Sequence, residues 1–168
     1  MSTLTVKELA APTGFDLKIA SGETLDLRTQ GTVTMPSGSV LQVVQSNSAS
    51  DPSVTSTTLV DSGHSVTITP SSTSAKVFVV FTFNAHVAGS GYGLKYALYR
   101  DSTKIGDEGI VYNSATNHHH IVAQQFLDSP SSASAVVYKI YFASYSGDSV
   151  RMASDWGHTI MTAMEIQG

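Results

Sequence analysis

The sequence contains no cysteine among its 168 residues. A disulfide framework and a thiolate metal site are therefore excluded, and the fold must depend on packing, hydrogen bonding or oligomerisation. Charged residues are scarce, at 13%, and no cluster of Lys and Arg accompanies the formal net charge of -4. Because binding to a row of phosphates needs such a cluster, nucleic acid is not an expected partner.

Long apolar runs are missing too. The chain has no uninterrupted stretch of about eighteen apolar residues, and Met1–Glu8 lacks a basic segment followed by an apolar one. We therefore expect no membrane span, no secretory signal and no membrane partner. Few ions and many small hydroxyl residues are typical of closely contacting protein surfaces, because an ion at a contact carries a desolvation cost. The composition favours a subunit of an assembly.

What the sequence does have is a series of short alternating apolar segments typical of strands. From Val40 onward, strands are predicted over residues 40–45, 58–60, 65–69, 76–84, 94–100, 110–112, 118–127, 135–144, 150–153 and 159–166. The residues Asp61–Gly63 are predicted to form a turn between the second and third of these strands. The strongest, over 76–84, has apolar residues on both faces, so we expect it to be buried on both sides. This set predicts an all-β fold, a β-sandwich or jelly-roll domain over residues 39–168.

Residues 1–38 differ from the rest, since their short apolar steps are separated by turn formers. Such steps cannot bury a face alone, because an isolated hairpin is marginal in water. We interpret them as a short extended N-terminal arm that docks on a partner. The alternative is that they are extra strands of the same domain. The apolar side chains expected to make the docking contact are Leu4, Val6, Leu9, Phe15, Leu17 and Ile19.

Three consecutive histidines are the most conspicuous candidates for chemistry. The period of a strand places His118 and His120 on one face, about 7 Å apart. Two ligands do not make a metal site, but a threefold axis would bring the histidines of three chains together. Polar strand residues are the simpler interpretation, so neither a resident metal nor another cofactor is predicted.

No arrangement typical of an enzyme is present. The glycine-rich segment Gly89–Gly93 is followed by neither a helix nor a Lys-Ser/Thr pair, and no Gly-x-Ser-x-Gly elbow occurs. The Asp residues sit in or beside predicted turns, where the backbone explains them. We predict no catalytic residue. Trp156 and Tyr92 are the candidate surface contacts, because aromatic residues are enriched at interface hot spots.

Several segments resemble a known family. They are Gly38–Gln45, Ile68–Val77, Phe126–Pro130 and, in the last predicted strand, Thr159–Ile160 with Met164–Ile166. They look like the β-sandwich head domains at the distal ends of bacteriophage tail fibres and tailspikes, over about Val40 to Ile166. The resemblance implies a homotrimer. The His-x-His pattern is similar to the iron-binding pattern of some trimeric tail-fibre tips.

The N-terminal part departs from that family, because a fibre tip follows a long shaft and residues 1–38 are too short for one. A short arm and a trimeric knob are instead what a capsid cement, or decoration, protein needs, since a threefold clamp contacts several coat subunits at once. We therefore predict a non-enzymatic phage protein, assembled in the host cytoplasm, that bridges major capsid subunits on the outer surface of the virion.

Two alternatives remain open at this point. One is a tail fibre or tailspike tip that binds a host receptor or a host surface glycan. The other is a lectin or a carbohydrate-active enzyme, because sandwich folds host such functions and the fold alone does not decide between them.

Overall fold

Eleven strands and no helix make up the part of the chain that the computed structural model describes, which is Ser21 and residues 35–89, 91–114, 118–152, 155 and 157–168. In chain order they are β1 (Val40–Ser48), β2 (Ser53–Val54), β3 (Val60–Ile68), β4 (Lys76–Val87), β5 (Tyr92–Arg100), β6 (Thr103–Lys104), β7 (Gly109–Asn113), β8 (His118–Asp128), β9 (Val136–Ser144), β10 (Val150–Met152) and β11 (Thr159–Ile166). None of the described residues forms a helix that could span a membrane.

The long strands pair as one rolled-up hairpin. The first long strand pairs with the last, and each further pair lies inside the previous one in the sequence. The pairs are β1 with β11, β3 with β9, β4 with β8 and β5 with β7, all antiparallel. Further pairs of β11 with β4 and of β9 with β5 join them into two sheets. This nesting is the topology of a jelly roll, so the predicted all-β sandwich or jelly-roll fold is confirmed.

The larger sheet has six strands and the smaller has five. In the larger sheet, β4 lies between β8 on one side and β11 with the short β10 on the other, and β1 and β2 lie beyond those. In the smaller sheet the order is β3, β9, β5, and both β6 and β7 pair with the far side of β5. One edge of the sandwich is therefore formed by β8 and β7.

Aromatic rings fill the space between the sheets. Phe81 and Phe83 alternate on the inner face of β4 and are 1% and 2% exposed. Tyr96 of the smaller sheet meets both rings edge-on, with centroids 6.3 and 5.4 Å away. Edge-to-face contacts of this kind stabilise a core beyond the area they bury.

The carboxylate of Asp128 joins β8 to the smaller sheet. It accepts two hydrogen bonds from Arg100 Nη1, at 2.7 and 2.9 Å, and one from the Tyr138 hydroxyl at 2.8 Å. Burial, and then the bond to this carboxylate, raises the pKa of Tyr138 far above its usual value. The buried ion is paired and hydrogen-bonded, as burial of a charge requires.

A predicted turn proves to be a bulge. The residues Asp61–Gly63 lie inside β3, where the register with β9 shifts between Asp61 and Ser65. Gly63 has φ of +79°, and its N–H donates to the Asp61 carboxylate at 2.8 Å. The two strands predicted on either side of this turn are therefore one strand, because turn residues also serve a bulge.

The prediction that the strand over 76–84 is buried on both sides is wrong for its outer face. Inward-facing residues of β4, such as Val79, are fully buried. The outward-facing Phe78, Val80 and Thr82 are only half-buried. This strand therefore presents apolar side chains to both sides of the larger sheet, and only one side is covered within the described protomer.

Candidate interaction surface

Most of the predicted contact residues lie outside the described residues. These are the arm residues Leu4, Val6, Leu9, Phe15, Leu17 and Ile19, together with Trp156. Tyr92 is described and half-buried at the start of β5, where it packs against the core. Its ring lies so close to Gly89 that a Cβ there would stand 1.6 Å from Tyr92 Cε2. Its role as a surface contact stays a prediction.

The three histidines divide between the two sides of β8. His118 and His120 pair with Val87 and Ala85 on the inner side, and their ring centroids are 5.9 Å apart. His119 faces outward, where its ring lies 4.6 Å from that of His86. Within the described residues, no group of three or more His, Cys, Asp or Glu is placed to hold a metal ion. A site shared by three chains therefore stays a prediction.

The outer face of the larger sheet is apolar or neutral across four strands. We call it the uncharged face. Pairing registers and alternation place these residues on it: Val43, Gln45 and Asn47 of β1, Ile160, Thr162, Met164 and Ile166 of β11, Phe78, Val80, Thr82 and Asn84 of β4, and Ile121, Ala123, Gln125 and Leu127 of β8. An antiparallel sheet with one solvated face normally alternates apolar inside with polar outside. This face breaks that rule.

Among the described residues on the outer side of this sheet, charged side chains lie only where the uncharged face ends. Lys76 lies at one end, beside Ile166. At the other end, Arg151 pairs across the sheet with His86. Its guanidinium donates to Asp51 and Asp155, each at 2.7 Å. The ion pairs keep the charges at the rim, and the surface between them carries none.

The outer face of the smaller sheet is different. It carries Asp61 on β3, Lys139 on β9, and Lys95 and Lys104 on β5 and β6. Lys139 and Asp61 form an ion pair at 2.9 Å, and both side chains are about one-third exposed. This is the polar, solvated face that an antiparallel sandwich is expected to show.

Within the described part of the chain, β8 lies at an edge of the larger sheet. Among the described strands it pairs only with β4, over eleven residues with no shift of register. Residues 118–127 include no Lys, Arg, Asp, Glu, Pro or Gly. Natural sheets protect their edges with short strands, charges, Pro or bulges, because free backbone groups recruit another strand. None of these devices is present over residues 118–127, and the only charge of β8 is the inward-facing Asp128 at its end.

A groove runs between β8 and the facing edge of the smaller sheet. Its volume is about 370 Å³, and its lining includes Ile110 and Tyr112 of β7 and residues 120–123 of β8. Four exposed side chains surround it or continue it along β8: Ile121 is 83% exposed, Tyr112 56%, Leu127 51% and Ile110 50%. We call β8 and these four side chains the β8 corner. Single exposed apolar residues are ordinary, but a contiguous group marks a contact surface.

The β8 corner was not among the residues predicted to make contacts. Alternation within 118–127 placed apolar side chains on both sides of that strand, yet it does not show whether a strand lies at the centre or the edge of a sheet. The lack of charge, Pro and Gly across ten residues was the available signal, because an edge strand without such protection is prone to pair with another chain.

No protein-family model matches the chain, and no curated protein sequence matches it. Among solved structures, the chain is similar to that of the infectious bursal disease virus VP2 subviral particle, with a TM-score of 0.51 and 13% sequence identity. The likeness covers 87% of this chain and 37% of the VP2 chain, so this chain spans little more than a third of that protein's length. At this identity the likeness shows the fold, a β-sandwich that is also found in a viral particle protein.

Proposed function

We propose that this protein is a non-enzymatic structural protein of a virion, a homotrimeric capsid cement protein. In this role the arm, residues 1–38, and the base of the trimer bridge subunits of the major capsid protein. The sandwich is displayed on the outer surface of the particle. A clamp of this kind gains avidity from several modest contacts made at once, without any catalysis.

The uncharged face is the observation that supports this proposal. A face of four strands without an internal charge has little to gain from exposure to water, and it can be covered without desolvating an ion. Interface cores are depleted of charged residues in the same way. The likeness in fold to a protein of a viral particle agrees with an assembly role.

The chemistry of the groove also supports a binding role. Beside aliphatic residues, it is lined by Tyr96, Tyr112 and one imidazole, that of His120. No carboxylate lines it, so it lacks the paired carboxyls that glycoside cleavage requires. A surface of this composition supports a binding role over glycoside cleavage.

The first test is the number of copies in purified virions. Quantitative mass spectrometry of gradient-purified particles should find this protein in a fixed ratio to the coat protein, at many copies per particle. A handful of copies that separate with the tail fraction would contradict the cement role and favour the tail-tip alternative.

The second test uses the arm in the full-length chain. Leu17→Asp places a charge among the alternating apolar residues and should reduce binding to undecorated capsids at least tenfold. Asp16→Asn changes the neighbouring polar position and is the matched control, expected to bind normally. Equal binding by both variants would show that the arm does not dock.

One observation favours the alternative, a tail tip that binds a host glycan. Tyr112 and Tyr145 are both more than half exposed and meet edge-on at 5.9 Å. Exposed aromatic pairs can stack on sugar rings. Specific glycan binding that Tyr112→Ala and Tyr145→Ala both abolish would support this function, as would a low copy number.

A further inference from the structure

We infer that a small pocket on the uncharged face binds a carboxamide side chain of the protein that covers this face, which in the proposed function is the major capsid protein. The inference rests on that function and names the chemistry of one contact within it. Three features of the described residues support it: a gap between two strands, a buried polar atom without a hydrogen bond, and a lining without charge.

The pocket lies where β4 changes its neighbour in the sheet. On this side, β10 ends at Met152, which pairs with Ala85, and the pairing of β11 with β4 begins at Thr82. Phe83 and Asn84 therefore lie between the ends of two neighbouring strands. The pocket at this gap has a volume of about 130 Å³, and its lining consists of Thr82, Phe83, Asn84, Ile121, Gly157 and His158.

The carboxamide of Asn84 lacks a hydrogen bond where one is expected. Asn84 is only 7% exposed although it lies on the outer side of β4, and its Oδ1 is buried and accepts no hydrogen bond from the described residues. Buried polar side-chain atoms are nearly always paired in native proteins, so this oxygen indicates a missing partner. A half-turn of the carboxamide exchanges Oδ1 and Nδ2, so Asn84 can offer the pocket an acceptor or a donor.

The walls of the pocket favour an uncharged occupant. The described lining contains no Lys, Arg, Asp or Glu, so a charged group would lose water there without gaining a counter-ion. Ile121, which pairs with Asn84 across the sheet, adds an apolar wall. On another side, His158 Nδ1 donates to Asn47 Oδ1 at 2.7 Å, because a carboxamide oxygen only accepts. An uncharged group that both donates and accepts, on an apolar stem, matches this site, and the side chains of Asn and Gln have this chemistry.

The size of the pocket and its position indicate the source of that side chain. Sites for small molecules begin at about 300 Å³, more than twice the volume found here. The pocket therefore suits the end of one side chain rather than a cofactor or an oligosaccharide. It lies within the uncharged face, and interface cores are depleted of charge in the same way. The side chain that enters it is therefore assigned to the protein partner.

The first part of the test uses acetamide as the probe and the full-length protein. In an NMR titration, acetamide should shift the side-chain amide signals of Asn84 and the methyl signals of Ile121, saturating at roughly 10 to 100 mM because so small a ligand binds weakly. Acetate has the same shape but carries a charge and no donor, so it is the matched control and should shift neither set. Asn84→Leu should abolish the acetamide shift of Ile121.

The second part compares stability with capsid binding. Asn84→Leu keeps the side-chain size and removes polar atoms, one of them buried without a partner, so the midpoint of urea denaturation should stay the same or rise. Binding to undecorated capsids should fall about tenfold or more, because the partner's carboxamide would then be buried without a hydrogen bond. The matched control is Gln45→Leu, an exposed position of the same face whose Nε2 donates to the Thr162 hydroxyl at 3.1 Å. It should bind within about threefold of the wild type.

Four outcomes overturn the inference. If acetamide and acetate act alike, or neither shifts the signals, the pocket holds only water. A folded Asn84→Leu that binds capsids as the wild type does would show that no partner group enters. A marked loss of stability in Asn84→Leu would mean that the carboxamide is already paired within the chain. If Asn84→Leu loses self-association and still binds capsids, the pocket belongs to a contact between copies.

Failure of the proposed function gives a different result. A wild-type protein that binds acetamide at Asn84 but never binds capsids would remove the cement role and leave the carboxamide site standing.

Discussion

The outer faces of the two sheets have opposite characters, although both belong to one jelly roll of similar strands. The smaller sheet shows Asp61, Lys95, Lys104 and Lys139 to solvent. The outer face of the larger sheet shows no charged side chain among its described residues between Lys76 and Arg151. Folding of a β-sandwich requires only that the inner faces of its sheets be apolar. The residues of each outer face are therefore free to suit what that face contacts in the folded protein. Exposure to solvent explains the charged outer face of the smaller sheet, and the partner proposed above accounts for the uncharged face of the larger one.

The inner and outer faces also differ within a single strand, β4. Substitutions there give the largest expected effect on the free energy of unfolding. Phe81 is 1% exposed on the inner face of β4, whereas Phe78 is half-buried on the uncharged face. Phe81→Ala should lower the free energy of unfolding by about 3–5 kcal/mol. Phe78→Ala should lower it by only about 1–2 kcal/mol, in keeping with partial burial. Urea denaturation at low protein concentration measures both.

Equal losses for the two variants would contradict the contrast, because they would mean that Phe78 belongs to the core of the protomer. A loss below about 1 kcal/mol for Phe81→Ala would contradict the placement of β4 at the centre of the sandwich.

The second effect concerns a histidine on the inner side of β3, the strand that also carries Asp61. His64 is 2% exposed, and its Nε2 lies 3.4 Å from the Thr159 hydroxyl. Burial lowers the pKa of His64 below its usual 6.5, against the opposing effect of Asp61. Because the unfolded chain then binds the proton more tightly than the folded chain does, stability should fall as the pH drops below about 6.5.

Urea denaturation at pH 7.5, 6.0 and 5.0 tests this effect, and His64→Gln should flatten the pH dependence. Some dependence should remain through His119, which lies on the outer side of β8 beyond the end of the uncharged face. Burial, and then His86 and Arg151, lower the pKa of His119. The exposed His158 offers a matched control in His158→Gln. A pH dependence that His64→Gln leaves unchanged would show that His64 does not carry the effect.

A third, smaller effect is expected on the charged side of the comparison. Lys139→Met removes the ion pair with Asp61, and because exposed ion pairs contribute little to stability, the midpoint of urea denaturation should change little. Self-association should not change, because the outer face of the smaller sheet is solvated. A large loss of association would show that the charged face, too, is an interface.

The smallest expected effect is the response of self-association to salt. Contacts made by uncharged side chains are not screened, so the association constant should change less than about threefold between about 0.05 and 0.5 M salt. An interface built on Lys95, Lys104 and Lys139 would weaken much more over that range. Sedimentation equilibrium at several salt concentrations distinguishes the two.

Local patterns account for what could be predicted from the sequence. The alternation over 159–166 matches β11 residue for residue, and the period of two correctly places His118 and His120 on one side of β8. Side-chain alternation is a local property of a strand, and so is sheet propensity.

The features that could not be predicted from the sequence depend on pairing between strands that are distant in the chain. The edge position of β8 depends on which strands lie beside β4, and that pairing joins residues far apart in the chain. The bulge in β3 was taken for a turn because Asp and Gly serve both structures. The uncharged face could not be predicted either, because it is formed by four strands that come from different parts of the sequence.

Hydroxyl-radical footprinting of Met164 and Met161 tests most directly whether a partner covers the uncharged face. The two methionines lie on opposite sides of β11, Met164 half-buried on that face and Met161 buried in the core. In the associated full-length protein, Met164 should be protected nearly as well as Met161, and Ile121→Lys should restore its oxidation. Met164 oxidised equally fast in the wild type and in Ile121→Lys would show that the face is open to water, which contradicts this account.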